Sequence, residues 1–528
     1  MNRPIRLLPA LLAVGSWTMI SRVLGLVRDV MMAALLGAGP MAQAFLIAFS
    51  LPNMFRRFFG EGAFNLAFVP MFAKKLEAGG DGADPHQLAR DFANDAMSGL
   101  AAVLIVITLV GMALMPWLVL AMASGFAGDE RFTLSVLYGR IAFPYLIFIS
   151  LTALLCGVLN ATGRFALAAA APILMNVVMI TFLAVGWATG GDIGMWQIWS
   201  VPVAGIAQLW LTWWGADKAG MKIRFRRPRF TPELKRLARI MGPAVLAGGV
   251  VQVNLLVGRQ VGSFFDGAVA WLSYADRLYQ LPLGVVGSAI GVVLLPDLSR
   301  RLAARDEAGG RDAVNRATEF TLALTLPAAV ALVLIPLPIV SVLFERGAFT
   351  REDAAATALA VAIYGAGLPA FVLQKVVSPL YYARHDTRSP FRFAVHSMVV
   401  NLAVALGLAP LLGFSAAALG TTVAGWVMLA QLWRGAAGMG EAARLDPRLL
   451  RALPRIALAC AAMGLALVGA HHFLAPLLEA EAWRYPALAL LVGVGALTYG
   501  VATFAFGALR LSDLRSAMRR GSNPAPGS

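Results

Sequence analysis

Five arginines, Arg22, Arg28, Arg56, Arg57 and Arg277, sit inside apolar stretches long enough to span a bilayer. An arginine at the bilayer centre costs about 2.5–3.5 kcal/mol, so each must face protein, water or an anion. The stretch LPNMFRRFFGEGAF (51–64) carries two of them side by side. The acids nearest in sequence are Asp29, Glu61 and Asp276, which leaves the group cationic by two. A planar guanidinium fork matches phosphate and carboxylate, so the chemistry these residues suit is recognition of an anion. Bond-making chemistry has no such support. We find no phosphate-cradling loop, no nucleophile motif and no metal-ligand spacing among the five histidines. Cys156 and Cys460 stand alone in apolar segments and read as small buried hydrophobes. No metal site, no cofactor and no enzymatic activity is expected; coupling to the membrane potential or to an ion gradient stays open.

The elements that must position these arginines are membrane helices. The 528-residue chain is 59% hydrophobic and 14% charged, about half the charged fraction of a soluble protein. Fourteen candidate spans fall near residues 9–36, 41–72, 94–120, 132–159, 165–188, 194–214, 240–265, 269–298, 316–343, 354–383, 391–412, 414–433, 454–474 and 485–509. Met1–Arg6 and the run after it read as an uncleaved first helix. With the N-terminus inside, the segments on that side carry 32 Lys/Arg and the other side four, Arg131, Arg346, Arg351 and Arg484. This asymmetry predicts cytoplasmic N- and C-termini and explains the net charge of +16 without nucleic acid. Arg140, Arg259 and Lys375 also fall within spans and read as structural pairs or snorkelling side chains.

An internal repeat organises the spans. At an offset of 226, Pro70 meets Pro296 and Lys74-Lys75-Leu76 meets Arg300-Arg301-Leu302. At 225, Phe143-Pro144 meets Leu368-Pro369 and Asn176 meets Asn401. Six helices per half make the repeat parallel. The predicted fold is an all-α polytopic membrane protein with 14 transmembrane helices, two parallel-repeat six-helix lobes around a central cationic cavity, and two C-terminal helices. The predicted divisions are an N-lobe (1–217), a basic cytoplasmic linker, partly an amphipathic helix (218–239), a C-lobe (240–440), helices 13 and 14 (441–512) and a cytoplasmic tail (513–528).

Helical phase groups the polar residues. Thr18, Ser21, Arg22, Gly25, Arg28 and Asp29 share one face of helix 1, while Ser273, Asp276, Arg277, Gln280 and Gly284 share one face of helix 8. In helix 2, Gln43, Ser50, Arg57 and Glu61 fall together and Arg56 points elsewhere, although Pro52 can shift the phase. Packing faces and i,i+4 pairing such as Arg57–Glu61 are the simpler explanation for any single residue. The excess of cations makes pairing inadequate for the group.

SRVLGLVRD (21–29), GAGPMAQAF (37–45), LPNMFRRFFGEGAFNLAFVP (51–70) and YADRLYQLPLGVVG (274–287) closely resemble the MurJ/MviN family of the multidrug/oligosaccharidyl-lipid/polysaccharide exporter superfamily. The resemblance runs through nearly the whole chain. It implies a flippase that moves lipid II, the undecaprenyl-diphosphate disaccharide-peptide precursor of peptidoglycan, from the cytoplasmic to the periplasmic leaflet of the bacterial inner membrane. It implies alternating access, a role in cell-wall biogenesis and cell shape, and a groove at helices 13 and 14 for the lipid tail. It maps the diphosphate-binding residues onto Arg22, Arg28, Arg56 and Arg277, choosing Arg56 where phase favoured Arg57. Ser21, Asp29, Asn53, Arg57, Glu61, Asp276, Gln43 and Gln280 become supporting cavity residues. Relatives often carry an aspartate in place of Gln43 and a glutamate in place of Gln280, so this cavity is more cationic than the usual pattern. Some relatives bind sodium through an acid on helix 7, where this chain has Arg259 and no acid.

Implied partners are lipid II, membrane lipids and the cell-wall synthesis and division proteins. The alternatives are a flippase for another polyprenyl-diphosphate glycan, such as an O-antigen or capsule unit, a non-transporting membrane scaffold, and a cation or drug antiporter. The last requires an acidic interior.

Overall fold

A computed structural model describes residues 7–56, 63–77, 84–229 and 231–507. Arg57, Glu61 and the 513–528 tail lie outside the described residues. Apart from turns, an extended segment and one isolated bridge between Arg346 and Phe349, the described residues are helical. Among them, eight helices are long and apolar enough to cross a membrane, or nine if one bent pair counts as a single span. This is the all-α, multi-pass class expected from composition.

Contacts divide the chain into two units. The first holds α1 (Leu7–Leu36), α2 (Pro40–Arg56), α3 (Ala63–Glu77), α4 (Pro85–Ala113), α5 (Met115–Met122), α6 (Glu130–Ala142), α7 (Tyr145–Ala161), α8 (Phe165–Thr189), α9 (Ile193–Lys218) and α10 (Pro232–Gly262). It also takes α11 (Ala268–Ala303) as far as Tyr274, and the distant segment Phe344–Asp353. Local sequence sets the helix starts. Asp84, Asp129, Asp192 and Thr231 each accept a hydrogen bond from a first-turn amide, and Pro85 and Pro232 supply a first helical residue that needs no donor. Phe68, Phe72, Phe92, Phe143 and Leu154 are among the buried core side chains. On α1, Met19, Ile20, Val23 and Val27 are apolar and exposed.

Three expected spans are helix pairs. The 94–120 span divides at Leu114 ahead of Pro116, and 132–159 bends by 41° at Phe143–Pro144. The 316–343 span divides at Ile335 ahead of Pro336. Proline removes a helical donor and crowds the preceding turn, which accounts for each position. In the basic linker, residues 221–229 are extended and the helical part begins at Pro232, from which the helix runs unbroken through α10. Met221 and Ile223 are buried in the core, while the amides of Arg224 and Arg226 donate to Asn94 Oδ1 and Ser98 Oγ at 2.7 and 2.8 Å. An alternating apolar pattern tied to an α4 edge makes a strap, whereas an amphipathic helix would leave those amides to bond internally.

The second unit holds the rest of α11, then α12 (Glu307–Leu334), α13 (Pro336–Phe344), α14 (Arg351–Tyr382), α15 (Arg388–Leu412), α16 (Ser415–Ala436), α17 (Pro447–Glu479) and α18 (Arg484–Ala505), less the residues 344–353. The apolar window of α14 is 67% buried and that of α15 only 17%, so α14 is a core helix and α15 is largely exposed. Helices α17 and α18 pack on each other, and α17 on α12. Ile456 and Cys460 meet Ala323 in that contact, and the Tyr499 hydroxyl donates to the Ala323 carbonyl at 2.6 Å.

Candidate functional site

From Ser21 onward the polar stripe of α1 faces protein, while Thr18 is exposed. Arg28 and Asp29 are 7% and 5% exposed, Gly25 is buried, and Ser21 and Arg22 are half-buried. Arg28 Nε and Nη2 donate to Asp29 Oδ1 at 3.0 and 2.7 Å, and Nη1 donates to Asn176 Oδ1 on α8 at 3.1 Å. Adjacent residues on a helix can make this contact because the long arginine stem folds back along the helix to the neighbouring carboxylate. Asn176 Nδ2 in turn donates to the Ser21 carbonyl at 3.0 Å. A buried charge thus has the partners it requires.

Arg56 lies at the last described residue of α2, half-buried, and its Nε donates to Asn53 Oδ1 at 3.2 Å. Pro52 perturbs the ladder there, and the Ser50 hydroxyl and Asn53 amide bond back to the Leu46 and Phe49 carbonyls. Gln43 is elsewhere. Thirteen residues earlier, about 20 Å along the helix axis, it donates to the Ala38 carbonyl and accepts from Arg131 Nη1 at 3.5 Å. In the second unit, Asp276, Arg277 and Gln280 are half-buried on α11, and Gln280 Nε2 donates to Asp276 Oδ2.

Sequence reasoning left out the group around Gln43. Arg131 pairs with Asp129 at 2.6 Å and with Asp266 at 3.0 Å, and lies 4.5 Å from the Phe126 ring centroid. Gln43, Asp129, Arg131 and Asp266 line a cavity of about 740 Å³ with Trp271, Glu130, Glu352 and Asp353. Five acids against one arginine make this an acidic pocket of the first unit, separate from the arginines of α1 and α2. Beside it the 344–353 segment docks: the Ala348 amide donates to the Ala34 carbonyl at 2.8 Å, and Trp271 Nε1 to Asp353 Oδ1 at 2.8 Å. Gly37 has φ +60 and a Cβ there would come within 2.4 Å of the Ala348 carbonyl oxygen, so this approach requires glycine.

The family model for the lipid II flippase MurJ matches residues 32–482. This chain belongs to the MurJ family. The probable lipid II flippase MurJ of Rhizobium meliloti (strain 1021) is 44% identical over 519 residues, 97% of this chain and 96% of that protein. The corresponding Vibrio cholerae protein is 33% identical, covering 97% and 98%. A solved structure described as lipid II flippase MurJ in an inward closed conformation superposes with a TM-score of 0.77 at 24% identity, over 93% of this chain and 98% of that one. An inward-facing multidrug-resistance transporter of the MATE family, described as of the MOP superfamily, gives 0.68 at 14% identity, over 82% and 98%. These two likenesses concern fold alone. Arg56 and Arg277 fall within the residues matched by the MurJ model, and Arg22 and Arg28 just before them. Membership of a flippase family makes this a multi-pass membrane transporter rather than a catalyst.

Proposed function

We propose that this protein flips lipid II from the cytoplasmic to the periplasmic leaflet by alternating access. The observation that carries this is an arginine buried inside a membrane-length helix, Arg28, in a chain of the MurJ family. In this reading Arg22, Arg28, Arg56 and Arg277 meet the diphosphate. Two lobes of six helices rock about the headgroup, and α17 and α18 make fourteen helices in all. The polyprenyl tail stays in a lipid-like groove at α17 and α18, because each methylene brought into water would cost about 0.8 kcal/mol. No covalent bond changes and no cofactor takes part. A membrane potential negative inside favours outward movement of the anionic headgroup by about 2.3 kcal/mol per charge per 100 mV.

Depletion of the protein, followed by measurement of which leaflet holds the accumulated lipid II, tests the assignment. Cytoplasmic accumulation supports it, and unchanged distribution overturns it. Complementation by a known lipid II flippase separates this substrate from an O-antigen or capsule unit. A membrane scaffold would tolerate neutral replacements of the four arginines, and a flippase would not.

A further inference from the structure

Helix α8 is one of the least buried helices of the first unit, with 22% of its apolar window inside the protein. Its buried residues are Ala171, Asn176, Met179, Leu183 and Gly186, so Asn176 alone among them is polar. The amide is used on both sides. Oδ1 accepts from Arg28 Nη1 at 3.1 Å, while Nδ2 donates to the carbonyls of Ser21 and Pro172 at 3.0 and 3.2 Å. Met179, one turn on, places its sulfur 3.6 Å from the same Nη1. Arg28 therefore has a carboxylate on one edge and two neutral acceptors from α8 on the other.

We propose that Asn176 is a positioning residue for Arg28, a neutral acceptor that holds the Nη1 edge in place without adding a second negative charge beside it. The inference rests on the reading that Arg28 meets the diphosphate. Asp29 already balances the guanidinium, so a second carboxylate here would leave the group net negative, and a phosphate oxygen would then have to break an ion pair against that repulsion. A neutral amide gives up Nη1 more readily than a carboxylate would, because its bond to the guanidinium lacks the charge–charge attraction of an ion pair. The donation to the Ser21 carbonyl fixes the amide orientation, so that oxygen and not nitrogen faces the arginine. A pure staple between α1 and α8 is the competing explanation. Interhelical hydrogen bonds of that kind are weak in membranes, and a staple needs no particular charge at position 176.

The test moves the carboxylate. Binding of purified lipid II to the full-length protein is measured for Asn176→Asp, Asp29→Asn and the double variant, with thermal melting alongside. Asn176→Asp is expected to weaken binding about tenfold, on the scale of one hydrogen bond to a charged group. The double variant restores one carboxylate and one amide around Arg28, and its affinity should return to within about threefold of the parent, a coupling that independent sites do not show. Parental affinity in Asn176→Asp overturns the proposal. So do losses in the double variant equal to the product of the single losses, or a double variant that does not fold, since the amide then serves the fold. An Arg28→Ala protein that binds lipid II normally overturns the diphosphate reading itself, whatever Asn176 does.

Discussion

The guanidinium of Arg131 and the carboxylate of Asp266 lie 3.0 Å apart, joining the first turn of α6 to the turn between α10 and α11. The two partners differ sharply in environment: the Arg131 side chain is 10% exposed and that of Asp266 94%. An ion pair with one fully hydrated member is worth at most about 1 kcal/mol, so Asp266→Ala should barely move the melting temperature. Arg131→Ala also loses Asp129 and the Phe126 ring, and should destabilise by roughly 1–2 kcal/mol. Equal shifts in thermal melting would show that Arg131 is not an anchor.

Arg22→Ala, Arg28→Ala, Arg56→Ala and Arg277→Ala should each abolish complementation while the protein still inserts at parental levels. Lysine replacements should recover part of the activity, since the charge remains and the planar fork is lost. Full activity at equal expression in any three of the alanine variants would remove the arginines from the substrate site. Arg57→Ala should be milder.

Asp386 precedes α15, and the Ser389 amide donates to its Oδ1 at 2.9 Å. Bonds from Ser389, first its amide, hold the Asp386 carboxyl below its usual value. A depressed folded value stabilises above the unfolded carboxylate value, roughly 3.9, and the contribution fades as pH falls through the folded one. Asp386→Ala should therefore lower the melting temperature near neutral pH, and the gap from the parent should close on acidification below about pH 4. A gap of constant size would exclude this carboxylate as its source.

For topology, Lys222→Cys should be labelled by a membrane-impermeant thiol reagent only after permeabilisation, and Ala188→Cys from outside intact spheroplasts. Both side chains are exposed. The nearby Gly220 has φ +82 and would strain a cysteine. Labelling of Lys222→Cys in intact cells would reverse the orientation, and the direction of transport with it.

Truncation after Arg444 should leave an inserted core that cannot sustain wall synthesis. The cut removes the α17 face that covers Ala323 and deletes Asp446, an ion-pair partner of Arg316. Complementation by the truncated chain would make α17 and α18 accessory.

The sequence by itself determined the membrane class, the arginines set in apolar spans, and the family. Each of these follows from local composition, one-dimensional periodicity or residue-by-residue likeness. Helical phase also grouped Ser21, Arg28 and Asp29 on one face of α1, as the structure has them. Phase could not say what meets that face. Asn176 lies 148 positions from Arg28, and only the rotation and axial register of α8 against α1 brings them together. The repeat match between Asn176 and Asn401 was the one signal that marked it. Gln43 illustrates the same limit, because its partner Arg131 was counted as an outer loop charge. The 344–353 segment, between α13 and α14 in the chain, joins the first unit through Ala34 and Trp271. Pro144 breaks one helix while its repeat mate Pro369 sits inside the unbroken α14. Periodicity fixes which residues share a face; the packing of that face against another helix decides which charge finds which partner.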